Sequence, residues 1–493
     1  MRDMMRRGLA VVLCGLLIFL PVASAGEQQQ SAATEPAQKA SLRSYLQKSY
    51  LELFELAPKV EFTAGEYQRQ RKIFEQGEKM CVTRFRDHAK QYGRQIEAAQ
   101  KELKKKTAGL SEDQRRQIHC NIQNVELLRS EAQVLSGHAI PVAYDNLNAK
   151  LDVLQNWPAL YRETEREIAD GSYLKRRWGD VKDIGFREIE PNQQDDIRRG
   201  QDAIEEMKRQ GMLPKEVEDK AIQEYVNSVA QRVARRSDLR IPLHVAVLQS
   251  REINAFALPG GYLFIQRGLL EAADDESELA GVLAHEMSHI VARHGHKLMK
   301  RATIASIFYQ AAQVAAVILT GGVASVGLYY ALQYGFYGLG LVLSLQLLGV
   351  SRDYEQEADQ LGVQYAWNAG YDPAGFIRFF DKMATRKGYV NGVSWFRTHP
   401  PFYDRMVSSE REILFMSPKP SYVTQTSEFE AMKKRLAPIT AAAAKEEISK
   451  PSLRITREEG CQPPKRLEYQ PDQPIEELCA QAPARIQSES PSR

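Results

Sequence analysis

The chain lacks most of what would make it something other than an ordinary globular protein. Among its 493 residues are only five cysteines and no C-x-x-C pair, which argues against a dithiol redox enzyme and a thiolate zinc site. It has no basic excess: 66 Lys and Arg face 63 Asp and Glu, a formal net charge of +3, so a nucleic-acid binder is not expected. It has no internal repeat of fixed period. Hydrophobic residues make up 43% and charged residues 26%, which rules out wholesale disorder, a collagen-like chain and a polytopic transporter. At roughly 100–200 residues per domain, about two to four domains are expected.

The amino end also lacks a full membrane span. Arg2, Arg6 and Arg7 precede an uncharged apolar run, Leu9 to Leu20, of 12 residues. A spanning helix needs about 20. Ala23-Ser24-Ala25 is a small-residue cleavage pattern, so residues 1–25 read as a secretory signal peptide, an uncleaved anchor being the alternative. Leu13, not a small residue, precedes Cys14, which argues against lipid attachment. The chain is therefore expected to be exported, in the periplasm or cell envelope. Cleavage leaves Cys81, Cys120, Cys461 and Cys479, an even count compatible with two disulfides. Pairing within each half, Cys81 with Cys120 and Cys461 with Cys479, is the simplest connectivity; free thiols are the alternative.

Residues 26–40 read as a flexible lead. Residues 41–170 are poor in Gly and Pro and rich in helix formers, predicting three or four antiparallel helices. Thr107-Ala108-Gly109 breaks the pattern, Ser111 starts a helix, and Pro141 and Pro158 mark further breaks or starts. Residues 171–192 form a connector, 193–416 one catalytic unit, and 417–493 a loosely ordered tail with a helix around Ala441 to Ala444.

Within the catalytic unit stands His285-Glu286-Met287-Ser288-His289. Asp275 with Glu278 is a capping-box-like start, and Leu279, Val282, Leu283 and Ile290 follow at helical spacing. Lys297, Lys300 and Arg301 suit a helix carboxyl end, so one helix is predicted from about residue 276 to 300. On it His285 and His289 share a face and can hold one Zn²⁺, with Glu286 beside it as general base. Two surface histidines are the bland alternative, which the apolar stripe disfavours. His294 and His296 read as surface residues or as groups behind the ligands.

A catalytic zinc of this kind needs a third protein ligand. Glu355 and Asp359 are four apart and share a helical face. Glu355 is the candidate ligand. Asp359 would hydrogen-bond a ligand histidine and fix its tautomer. Glu357 lies on another face and is not expected to ligate.

Together these motifs resemble the M48 family of zinc metallopeptidases, gluzincins of the Oma1-like and CaaX-protease-like group. The family pattern is His-Glu-x-x-His on one helix and Glu-x-x-Ala-Asp on a later one. The stretch from Asn254 through Gly260 and Gly261 to Tyr262 resembles the family's approach to an active-site edge strand, and Thr398-His399-Pro400-Pro401 with Arg405 resembles its end segment. The similarity spans roughly residues 192–416. It implies an α+β, mainly helical fold: a gluzincin-type core with a small sheet, here preceded by a helical domain. Tyr262 to Gln266 is predicted as a strand next to the metal that would hold an extended peptide. His399 and Arg405 are candidate oxyanion stabilisers, and His399 could instead occupy the open metal position and hold the enzyme idle.

From Ala302 to Ser351 runs a stretch of 50 residues without a charged side chain. It is long enough for two apolar helices and a turn. A membrane contact, a buried hairpin and an oligomer contact compete as readings of 302–351. The expected activity is that of an exported endopeptidase carrying one Zn²⁺ per chain and acting on misfolded or membrane-associated envelope proteins. The alternative is an assembly or chaperone factor that binds unfolded polypeptide in the same cleft and cleaves little.

Overall fold

The computed structural model describes residues 41–105, 109–188, 193–209, 213–251, 253–299, 352–383, 402–449, 461 and 475–481. The expected signal peptide, the flexible lead, the apolar insert 302–351 and His399 lie outside these residues.

After two short helices, α1 (Leu42–Tyr45) and α2 (Tyr50–Leu56), three long ones follow: α3 (Ala64–Lys105), α4 (Glu112–Val134) and α5 (Ile140–Asp170). Ser111 caps α4 as its position predicts. Its Oγ accepts from Gln114 N and its own N–H donates to Gln114 Oε1. Pro158 does not break the chain as expected but lies inside α5. A helical proline leaves the carbonyl four residues back without its usual donor. Here the Tyr67 hydroxyl donates to Leu154 O at 3.1 Å, filling that place from α3. Trp157 anchors the same turn, donating from Nε1 to Phe54 O at 3.0 Å.

The cysteine pairing expected within each half is wrong. Cys81 of α3 pairs with Cys479, and Cys120 of α4 with Cys461. The error came from treating sequence proximity as spatial proximity. Cys81 and Cys120 sit on two helices, and each meets a different part of the carboxyl-terminal segment. The expected loose tail also gives way in part. Residues Ser427–Ser449 form a helix whose Phe429, Met432 and Leu436, spaced three and four apart, are buried. A further short helix, Ile475–Gln481, carries Cys479.

The catalytic unit contains α6 (Gln193–Arg209), α7 (Lys220–Ala234) and a three-stranded sheet: β1 (His244–Leu248), β2 (Ala255–Leu258) and β3 (Tyr262–Gln266). The order is β1-β3-β2, with β1 parallel and β2 antiparallel to β3. So β3 is the central strand, not the edge strand expected. The three-residue turn between β2 and β3, Pro259 to Gly261, uses Gly260 (φ +85°) and Gly261 (φ +90°), a conformation that glycine adopts without strain.

The chain continues through α8 (Arg267–Ala272), α9 (Glu276–Val291), α10 (His294–Met299), α11 (Arg352–Asn368), α12 (Ala374–Lys382) and α13 (Phe402–Phe415). The tail helices Ser427–Ser449 and Ile475–Gln481 are α14 and α15. Asp275 caps α9, its Oδ1 accepting from Glu278 N at 2.8 Å. Residues 276–288 of α9 are all buried, so this is a central helix and not a half-exposed one. The single helix expected to residue 300 is instead two: α9 ends at Val291 and Arg293 takes φ +57° before α10 begins. Among the described residues, no helix is long and apolar enough to cross a membrane.

Candidate metal centre

Helices α9 and α11 meet at Gly362. A Cβ there would lie 3.0 Å from both Cα and N of His285, so only glycine allows this approach without a shift. The close approach lays the α11 carboxylates against the α9 histidines. Nε2 of His285 and Nε2 of His289 are 3.1 Å apart. Glu355 Oε2 lies 3.7 Å from His285 Nε2, and its Oε1 lies 3.6 Å from His289 Nε2. Ligands about 2.0–2.1 Å from a tetrahedral zinc stand roughly 3.3 Å apart. Two imidazoles and one carboxylate at these separations therefore fit zinc in both chemistry and spacing. Candidate ligand atoms of all three residues lie within 4.8 Å of one another.

The groups around this trio are buried and charged. Asp359 Oδ1 stands 3.0 Å from His285 Nδ1. Arg405 is 3% exposed and reaches both carboxylates of α11. Its Nε and Nη2 each donate to Asp359 at 2.6 Å, and its Nη1 lies 2.9 Å from Glu355 Oε2. The guanidinium thus offsets two acids that would otherwise repel within a sealed interior. Burial, opposed by the charges of Asp359 and Glu355, leaves Arg405 firmly protonated.

Glu286 is 2% exposed on the same helix as the histidines. Burial first, and the Glu355 charge second, push its carboxyl well above the usual carboxylate range. Arg405 and the Ala257 N–H draw it part of the way back. That N–H belongs to β2. In the antiparallel pair, Gln266 N donates to Asn254 O, so alternate residues Ala255 and Ala257 turn their backbone polar groups away from β3. The strand edge facing the metal centre is accordingly Ala255–Leu258. Of the residues expected there, Asn254 is buried just ahead of it, Gly260 and Gly261 make the turn, and Tyr262 lies in the central strand, its ring stacked on His244.

Sequence spacing gave no sign of how His294 would lie. At five residues from His289 it should leave the ligand face, but the Arg293 kink returns it. His294 is 2% exposed, not a surface residue, and its Nδ1 is 2.8 Å from His289 Nδ1. Its Nε2 is 3.0 Å from Glu357 Oε2. Behind the kink, Arg293 donates to Asp196 through Nε at 2.6 Å and Nη2 at 3.0 Å, and His296 meets the same carboxylate.

Residues 219–412 match the model for peptidase family M48. These residues form an M48 metallopeptidase domain. The match lies within the span that the motifs implied and excludes the helical region and the tail. Relatives include the β-barrel assembly-enhancing protease of Yersinia pestis, 30% identical over 217 residues, covering 44% of this chain and 44% of the relative. The protein of the same name from Escherichia coli K12 is 28% identical over 214 residues, 43% of this chain and 42% of the relative. The mitochondrial metalloendopeptidase OMA1 of Schizosaccharomyces pombe is 34% identical over 181 residues, 36% of this chain and 48% of the relative. The chain thus spans less than half the length of each of these relatives.

Proposed function

We propose that the protein is an exported, zinc-dependent endopeptidase that hydrolyses peptide bonds of misfolded or membrane-associated proteins in the cell envelope. The observation that carries this reading is the arrangement of Glu286 beside the His285, His289 and Glu355 trio, held by the Ala257 N–H of β2. Zinc held by that trio would supply Lewis acidity toward water and the scissile carbonyl. Glu286, already raised in proton affinity, takes the proton from the attacking water and hands it to the leaving amine. With the Ala257 N–H engaged by Glu286, the outward carbonyl groups of Ala255 and Ala257 are what remain to hold an extended polypeptide by main-chain hydrogen bonds, which asks for an unfolded segment and little side-chain specificity. Arg405, with three of its donors engaged by Asp359 and Glu355, acts here as a positioning residue and not as an oxyanion stabiliser.

Export is supported by the two disulfides, which persist in oxidising compartments. The envelope substrate class is supported by the names of the bacterial relatives. Glu286→Gln is the direct test. Cleavage of a reduced, unfolded polypeptide should fall by about 10²–10⁴-fold with zinc content unchanged. Wild-type protein that only suppresses aggregation, with the same effect in Glu286→Gln, would favour the chaperone reading.

A further inference from the structure

The chain of groups Glu357–His294–His289 has no part in the hydrolytic steps above. A histidine that binds metal through Nε2 carries its proton on Nδ1, and the partner of that proton fixes ring and tautomer. For His285 the partner is a carboxylate, Asp359. At His289 the neighbour of Nδ1 is another imidazole, His294, through its own Nδ1 at 2.8 Å. A nitrogen that accepts there bears no proton, so His294 holds its proton on Nε2. That is the nitrogen 3.0 Å from Glu357 Oε2. With His289 bound through Nε2, one set of neutral tautomers satisfies both contacts: His289 Nδ1–H donates to His294, and His294 Nε2–H donates to Glu357.

The surroundings fix this arrangement. Arg293 stands in the left-handed region at φ +57°, uncommon for a non-glycine residue and held where neighbours over-determine it. Asp196 grips its guanidinium through two hydrogen bonds. The His294 ring stacks on Tyr354, centroids 4.4 Å apart and planes 16° apart. The outer carboxylate differs from its counterpart. The Asp359 side chain is 1% exposed, whereas that of Glu357 is 20% exposed and borders a cavity of about 500 Å³ that Lys297 also lines. One ligand histidine is held by a sealed acid and the other by a wetter acid acting through an imidazole spacer.

We infer that His294 and Glu357 are the positioning residues of the second metal ligand, orienting His289 and setting its tautomer for metal. This rests on the metal-centre reading above. The test is zinc affinity of the purified full chain by chelator competition, with the melting temperature of each metal-free variant measured alongside. His294→Phe keeps the stack on Tyr354 and removes the acceptor. It should weaken zinc binding about 10–100-fold and shift the visible absorption of the cobalt-loaded protein. His294→Asn can return an acceptor oxygen and should recover most of that affinity. Glu357→Gln should cost less than about tenfold, since it keeps an acceptor but loses the charge.

If His294 merely fills space, affinity in the Phe and Asn variants will follow metal-free stability and not the presence of an acceptor. Wild-type affinity in His294→Phe overturns the inference. If that variant does not fold, Glu357→Ala, at a partly exposed position, decides: unchanged affinity overturns it and weakened affinity supports it. A wild-type chain that binds no zinc would overturn the metal reading itself. Zinc bound equally well with and without the His294 acceptor would overturn this inference alone.

Discussion

The metal centre and the helical region with its tail are held together by different means. Around His285 and Glu355 the fixing groups are buried charges and close backbone approaches. Arg405 bridges two acids, Asp359 meets His285, and Gly362 lets α11 touch α9. In the helical region the fixing groups are aromatic and aliphatic side chains such as Phe54, Phe74, Tyr144 and Trp157, with two disulfides to the tail. A chemical site needs exact donor positions, which polar networks specify by direction. A scaffold needs only bulk and cross-links, which many sequences supply. The two regions should therefore fail differently when broken.

Arg405→Met should give the largest effect and break the first region in both respects. Removing one partner of a buried ion cluster strands the others, at about 3–5 kcal/mol. Chemical denaturation should show that loss, and chelator competition should show zinc affinity reduced by more than about tenfold, because Glu355 loses its partner. Arg405→Lys should not rescue, since an ammonium cannot reproduce the paired contacts to Asp359. A stable Arg405→Met protein with normal zinc affinity would mean that the network does not position the ligands.

How much of this could be read beforehand follows the same division. The two metal motifs were legible because helical periodicity converts spacing four directly into a shared face, for His285 with His289 and for Glu355 with Asp359. The Asp275 and Ser111 caps were legible for a similarly local reason. What escaped depends on tertiary placement. The β1-β3-β2 order, which puts Tyr262 in the middle, requires a parallel pairing that no local pattern announces. The left-handed turn at Arg293 has no glycine to mark it, so the sequence leaves open whether His294 lies on the surface or behind the ligands. Pro158 looked like a break or a helix start because Tyr67, 91 residues earlier, is what makes it tolerable. Cysteine partners 398 and 341 residues apart lie beyond any local argument.

The disulfides give the second contrast. Cys81→Ser with Cys479→Ser, or Cys120→Ser with Cys461→Ser, should each cost about 2–4 kcal/mol by loosening the unfolded-state constraint. Zinc affinity and the rate of cleavage at low temperature should stay within about twofold of wild type, because neither bond touches the α9–α11 contact. Denaturation with and without a reductant, followed by chelator competition, checks both halves. If zinc affinity falls along with stability, the scaffold and the site are one mechanical unit and the distinction drawn above is wrong.

The smallest effect is expected where the regions meet. Glu410 on α13 has its carboxyl pushed up to about 7, first by burial and then by the charges of Glu55 on α2 and Asp372 ahead of α12. Its ordinary value is 4.5, so between about pH 4.5 and 7 the folded chain holds a proton that the unfolded chain has released. Stability from this group is therefore fully present below about pH 4.5, declines as pH rises, and is lost above about pH 7. Glu410→Gln mimics the protonated form at every pH. It should leave stability nearly unchanged at pH 4 and raise it by about 1–3 kcal/mol at pH 8, with zinc affinity unaffected. Urea denaturation of both proteins across that range reads the difference. Equal gains at pH 4 and pH 8 would show that packing, and not the charge facing Glu55 and Asp372, sets the strain at this seam.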